Sequence, residues 1–210
     1  MADGRDVTLR LFVAVRAPLA VREAAQEAVE QLRDHTHVRW VTGHLLHITL
    51  LFLGETPGTL LPDLRRRCRE IANSHSHFVI ELSNGGAFPG AAQARTVWLG
   101  VEPVGELTSL AEALGKAAAE LGLPVDRRPF RAHLTLGRVR PATAGLREAL
   151  NRLPVRRVAW PVSQMELVQS VLGPGGPEYI TLGAFELGRE GERLPTQGAE
   201  EDEERGRWTR

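Results

Sequence analysis

The chain has 210 residues, 42% of them apolar, and a formal net charge of zero. That is enough to bury a core, and the neutral balance argues against a protein that coats nucleic acid through many phosphate contacts, while leaving room for recognition of one phosphate or an RNA end. A single cysteine, Cys68, excludes an intramolecular disulfide and a cysteine-based zinc cluster; no apolar run is long enough to span a bilayer and no signal-peptide pattern is present, so a cytoplasmic location is expected.

In chain order, Thr8 to Val15 ("TLRLFVAV") alternate and are rich in β-formers, which predicts a strand. Pro18 stands where a first helical residue belongs, and Val21, Ala25, Ala28, Val29 and Leu32 recur at helical spacing up to Arg33. "VRWV" (38–41) and "LLHITLLFLGE" (45–55) read as strands, the second closed by Gly54. Leu60, Leu64, Cys68 and Ile71 mark a helix from about Thr59 to Asn73, with Cys68 a small core residue. "HFVIELS" (77–83) and "RTVWLGVE" (95–102) read as strands flanking a loop, "NGGAFPGAAQA" (84–94). A helix is predicted over about Gly105 to Leu121, a strand over "RAHLTLGRV" (131–139), and a short helix from about Ala144 to Leu153. "VRRVAWPV" (155–162), "QMELVQSVL" (164–172) and "EYITLGAFEL" (178–187) are strand-like, with a hairpin turn between the last two at Gly173 to Pro177. After Leu187 the apolar pattern stops. The expectation is one domain over 7–187 followed by a disordered charged tail, 188–210. The fold class is α+β: two similar lobes, each with helices and antiparallel-rich strands, and a cleft between two sheets.

One tetrapeptide pattern occurs twice. His47-Ile48-Thr49-Leu50 sits in the first half and His133-Leu134-Thr135-Leu136 in the second, each on a predicted strand. Side chains alternate along a strand, so His47 and Thr49 share one face while Ile48 and Leu50 take the core side, and likewise for His133 and Thr135. Residues two apart are separated by roughly 7 Å, which suits one phosphate. In-line displacement at phosphorus needs a base on the attacking oxygen and an acid on the leaving oxygen. Two imidazoles fit, since a pKa near 6.5 lets one be neutral and one charged, and the hydroxyls can donate to the non-bridging oxygens. This chemistry requires no metal and no cofactor. The pairs His35/His37 and His75/His77 have metal-binding spacing, but no acidic or cysteine partners complete a site. His44 alternates away from His47.

The blocks "RLFVAV", "VRWV", "LHITLLFLGE", "GGAFP", "VWLGV", "RPFRAHLTLGR" and "SVLGPGGPEYITL" resemble, in order, the bacterial and archaeal branch of the 2H phosphoesterases, the RNA 2′,3′-cyclic phosphodiesterases once called 2′-5′ RNA ligases. The resemblance implies a bilobal fold with pseudo-twofold symmetry, helices outside and the active site between the lobes. It implies hydrolysis of a terminal 2′,3′-cyclic phosphate to a 2′-phosphate, with His47 as proton donor to the leaving 3′ oxygen, His133 as proton acceptor from water, and Thr49 and Thr135 binding phosphate. Arg138 lies an odd number of positions from His133 and needs a bulge near Gly137 to reach the same face; Arg131 shares that face directly, and both are phosphate-binding candidates. Trp40 and Phe88 are candidates to stack on a terminal base, with core packing the plainer role for each. The expected partner is RNA with a cyclic phosphate end or a small cyclic nucleotide, with no membrane and no metal, and the expected state is a monomer. The competing readings are 2′-5′ ligation at the same site, a 2H-like module that binds a nucleotide without turnover, and a metal hydrolase built on the His-x-His pairs.

Overall fold

The computed structural model describes residues 7–33, 38–126, 128–139, 145–174 and 176–188. The pair His35/His37 and the expected tail from 189 onward lie outside them. The strands are β1 (Thr8–Arg16), β2 (Val38–Trp40), β3 (His47–Pro57), β4 (Phe78–Phe88), β5 (Thr96–Glu102), β6 (His133–Val139), β7 (Ala159–Val162), β8 (Gln164–Gly173) and β9 (Gly176–Glu186). The helices are α1 (Leu19–Leu32), α2 (Leu61–Asn73), α3 (Gly105–Glu120) and α4 (Leu146–Arg152).

The helices follow from apolar spacing. Val21, Ala25, Ala28 and Leu32 of α1, and Leu107, Leu110, Leu114 and Ala118 of α3, form single buried stripes. Cys68 is buried in α2 as expected, and burial pushes its thiol up to about 12, which leaves it unreactive. Among the described residues no helix is long and apolar enough to cross a membrane.

In place of the expected pair of sheets, the described strands form one antiparallel sheet, in the order β7-β4-β5-β6-β3-β1-β8-β9, with β2 beside β6. The correction has a local cause. The β6 and β3 edges meet through one register pair, Ile48↔Leu134, and these are the residues between His and Thr in the two motifs. Both are fully buried, each side chain contributing roughly 1.5–3 kcal/mol of burial free energy, and they fasten the two motif strands to a common core.

Two strands run further than their glycines suggest. β3 continues through Gly54 to Pro57 because Gly54 takes φ +69 and the ladder steps past it. β4 continues through "NGGAF" to Phe88, so the expected loop begins only at Pro89. The absent side chain is what the strand uses here: the Trp98 ring of β5 fills the place where a Cβ on Gly86 would sit. In the other direction, the "VRRV" half of the expected 155–162 strand is irregular, and β7 holds only Ala159–Val162.

Candidate functional site

The Ile48↔Leu134 pair runs antiparallel, so His47 comes abreast of Thr135, and Thr49 abreast of His133. The strands register at this pair alone, so both motifs present their polar residues on one face where β3 and β6 part. A cavity of about 400 Å³ opens on that face, with His47, Thr49, Thr135 and Arg138 in its wall. His133 stands beside this wall, close enough that its charge disfavours protonation of His47.

The two imidazoles are held in the same way. His47 Nδ1 lies 2.7 Å from the carbonyl oxygen of Leu45, and His133 Nδ1 lies 2.7 Å from that of Arg131. A carbonyl only accepts, so each Nδ1 carries the proton and each Nε2 is the nitrogen left for chemistry. His47 Nε2 is 3.1 Å from the Thr49 hydroxyl. Each ring also rests on a pair of aromatics. Phe12 stacks on His47 at 5.0 Å and Tyr179 meets it edge-on at 5.4 Å. Phe88 and Trp98 meet His133 edge-on at 5.0 and 6.4 Å. Apolar surroundings penalise the charged form. Burial pushes His47 down to about 4, with the Leu45 bond opposing and the His133 charge adding to the fall. Burial also lowers His133, again against its backbone bond.

One charge works the other way on His47 alone. Glu166 of β8 is 3% exposed, yet it is held by the Thr181 hydroxyl, which donates at 2.7 Å, and by Arg16 Nη2 at 2.9 Å. Ala14, fully buried, is the strand neighbour of both Thr49 and Glu166, and its small side chain leaves Glu166 room to reach the back of the site. The carboxylate favours a proton on His47, and among the described residues no such partner acts on His133. A lone acid in the middle of "QMELV" is the sequence signal that would have found it.

The other expected residues separate. Arg138 joins the cavity because Thr135 and Gly137 face successive residues Trp98 and Val97 of β5, which leaves Leu136 as an extra residue. Arg131 contributes its backbone carbonyl to His133, and its side chain is exposed. Trp40 packs partly against the core and also lines the cavity. Phe88 packs on Trp98 and His133 and is not part of the cavity wall. His75 caps α2, its Nδ1 donating to the Ile71 carbonyl and its Nε2 lying 3.1 Å from the Ser109 hydroxyl. Arg10, Arg39, Phe52 and Tyr179 also line the cavity and had no local signal in the sequence.

Residues 21–174 match the family described as the 2'-5' RNA ligase superfamily. A protein of Archaeoglobus fulgidus named RNA 2',3'-cyclic phosphodiesterase is 36% identical over 179 residues, covering 85% of this chain and all of the relative. A Thermus thermophilus protein of the same name is 35% identical, covering 90% of this chain and 96% of the relative. The crystal structure of TT0787 of Thermus thermophilus superposes with a TM-score of 0.76 at 36% identity, covering 87% of this chain and all of that one. The structure of E. coli LigT complexed with 3'-AMP gives 0.68 at 26% identity, covering 86% of this chain and 99% of that one. With its paired His-x-Thr strands and these matches, the chain belongs to the 2'-5' RNA ligase superfamily.

Proposed function

We propose that this protein hydrolyses the 2′,3′-cyclic phosphate at an RNA end to a 2′-phosphomonoester, without a metal, through His47 as acid and His133 as base. The observation that carries this reading is the register of the two motifs, which turns both His-x-Thr pairs to one face, with His47, Thr49 and Thr135 in the wall of one cavity. His133 Nε2 takes a proton from water as the water oxygen bonds to phosphorus. The bond from phosphorus to the 3′ oxygen breaks, and His47 Nε2 hands its proton to that oxygen. Thr49, Thr135 and Arg138 meet the non-bridging oxygens. Glu166 supports this division of labour, because it favours the proton on the ring that must donate one. Counting each motif strand, four strands run outward on either side, β6-β5-β4-β7 and β3-β1-β8-β9. That order is consistent with two pseudo-symmetric lobes of one domain over 7–187 and the site in a cleft between them.

The reading is tested with an RNA oligonucleotide ending in a 2′,3′-cyclic phosphate, incubated in EDTA, with the product read by phosphorus NMR. A 2′-phosphomonoester is the expected product; no turnover in EDTA, or a 3′-phosphate, refutes the scheme.

The pH dependence follows from the rings. One must be neutral and one charged, and both lie below the ordinary histidine value of 6.5 in the free protein, His47 at about 4. Above the higher of the two values the protonated acid is lost. We therefore expect kcat/KM to fall about tenfold per pH unit once the pH exceeds 6.5. A bound phosphate anion favours protonation, so kcat should peak at a higher pH than kcat/KM. A kcat/KM that stays level through about pH 8 contradicts the assignment.

Glu166→Gln keeps the size of the side chain and an acceptor for Thr181 while removing the charge. Among the described residues, the charged and titratable groups facing His47 include Glu166 from β8, Arg16 from β1, His133 from β6 and Tyr179 from β9, with Arg10 and Arg138 in the same wall. With Glu166 neutral, the His47 titration followed by NMR is expected to move lower still, and kcat to drop with it. An unmoved His47 titration removes Glu166 from the mechanism.

A further inference from the structure

Both motif strands carry a residue too many. In β3, Ala14 faces Thr49 and Val13 faces Leu51, so Leu50 is extra and Phe52 returns to the face of Thr49. In β6 the extra Leu136 does the same for Arg138. A third such step lies in β4, two strands from β6. Leu82 faces Val101 and Gly85 faces Leu99, so Ser83 and Asn84 together oppose the single residue Gly100 of β5.

Gly100 is abreast of His133. A side chain there would share the face of the imidazole, with its Cβ about 5 Å from that of His133. The glycine is buried all the same, because the bulge turns Ser83 and Asn84 over it: a Cβ on Gly100 would stand 2.6 Å from Ser83 Oγ and 3.2 Å from Asn84 Oδ1. The polar pair thus takes the place of a side chain beside His133. Ser83 Oγ donates to Asn84 Oδ1 at 3.2 Å. Its one proton is committed to the amide, so the hydroxyl offers lone pairs to any other group.

The two flanks of the site differ in charge. The residue abreast of His47 on β1 is Arg16, tied to Glu166. The residue abreast of His133 on β5 is a glycine covered by neutral groups. In-line displacement puts the attacking oxygen on the His133 side of phosphorus and the leaving oxygen on the His47 side. A water that gives one proton to His133 has a second, which needs an acceptor of its own. The Phe88 and Trp98 rings that meet His133 edge-on offer no lone pair for it.

We propose that Ser83 is a further catalytic residue, its hydroxyl accepting a hydrogen bond from the second hydrogen of the attacking water. Asn84 is the positioning residue that keeps this hydroxyl turned to accept. One proton passes from water to His133 and one from His47 to the 3′ oxygen; the second hydrogen of the water stays on the oxygen that bonds to phosphorus. The assignment rests on the proposed function and states how its nucleophile is chosen. An alcohol carries carbon where water carries that hydrogen, so it cannot make the Ser83 contact.

The test is a competition between nucleophiles. An RNA oligonucleotide ending in a 2′,3′-cyclic phosphate is turned over in aqueous methanol, and phosphorus NMR reads the ratio of methyl ester to 2′-phosphomonoester. The unaltered protein is expected to form the monoester almost alone. Ser83→Ala is expected to raise the ratio about fivefold and to lower kcat for hydrolysis by a similar factor with KM unchanged, the effect of one net hydrogen bond. Asn84→Ala leaves the hydroxyl in place but free to turn, and is expected to give about a twofold rise. Ser83 is half-buried and Asn84 exposed, so both variants fold, and their affinity for inorganic phosphate by calorimetry should match that of the unaltered protein. A ratio unmoved by Ser83→Ala overturns the assignment whatever happens to kcat. Loss of phosphate affinity in Ser83→Ala makes the hydroxyl a phosphate contact and overturns it as well. Absence of turnover by the unaltered protein refutes the cyclic phosphodiesterase reading and the assignment with it, whereas turnover with an unmoved ratio refutes the assignment alone.

Discussion

His47→Ala and His133→Ala are each expected to lower kcat on a cyclic-phosphate-ended oligonucleotide by about 10²- to 10⁴-fold, the range for loss of a positioned acid or base. The double variant should be little worse than the poorer single one, because an acid without its base, or the reverse, leaves the same incomplete transfer. Folding should survive, since both rings are partly exposed and their anchors are backbone carbonyls. The two variants should differ in pH response. Without His47 the rate still needs a neutral His133, so activity should decline toward acid. Without His133 the residual activity should decline toward alkali as His47 loses its proton. Single-turnover rates across pH, with circular dichroism as a folding check, decide this. Near-normal turnover in either variant removes that histidine from the chemistry, and the two declines exchanged, alkaline without His47 and acid without His133, would reverse the donor and acceptor roles.

Thr49→Val and Thr135→Val should each cost about 10²- to 10³-fold in kcat with a smaller change in KM, as expected when one hydrogen-bond donor to a charge-bearing oxygen is lost. Valine keeps the branched shape on the strand, so packing changes little. The two positions are not equivalent. The Thr49 hydroxyl is 3.1 Å from His47 Nε2, so its loss also frees the ring that must donate the proton, and Thr49→Val should disturb the His47 titration as well. Thr135→Val should leave that titration in place. A rate loss below about threefold in both contradicts phosphate contact by the hydroxyls.

Much of this arrangement was legible in the residues. Period-3.6 apolar spacing marked α1, α2 and α3, and period-2 alternation around His47 and His133 marked the strands that matter, because both patterns reflect burial on one side of a regular element. Glycine misled in both directions. Gly54 read as a strand end, and Gly85-Gly86 as a loop, because a glycine that ends a strand and one that lets a tryptophan ring lie across it are the same letter. The division into two sheets failed at one point: joining β3 to β6 takes a single residue pair, and no local pattern records which strands meet. The cavity wall was the hardest part to read. Arg10, Arg39, Phe52 and Tyr179 come from β1, β2, β3 and β9, and only the ladder order brings them together. Arg138 was foreseen as far as its need for a bulge; the matching step before Phe52 went unread because Leu50-Leu51 looks like ordinary strand apolarity.

The supernumerary leucines at 50 and 136 have a consequence for how this segment tolerates change in length. Exchanging either leucine for another apolar residue leaves the count of residues, and hence the orientation of everything downstream, intact. Removing either one restores an unbroken two-residue beat and rotates its successor by half a turn, sending Phe52 or Arg138 toward the interior. A chain shortened by that one residue would keep every histidine and threonine of its signature and still lose part of its ligand-facing wall, so in this protein the spacing after each motif carries as much information as the motif itself.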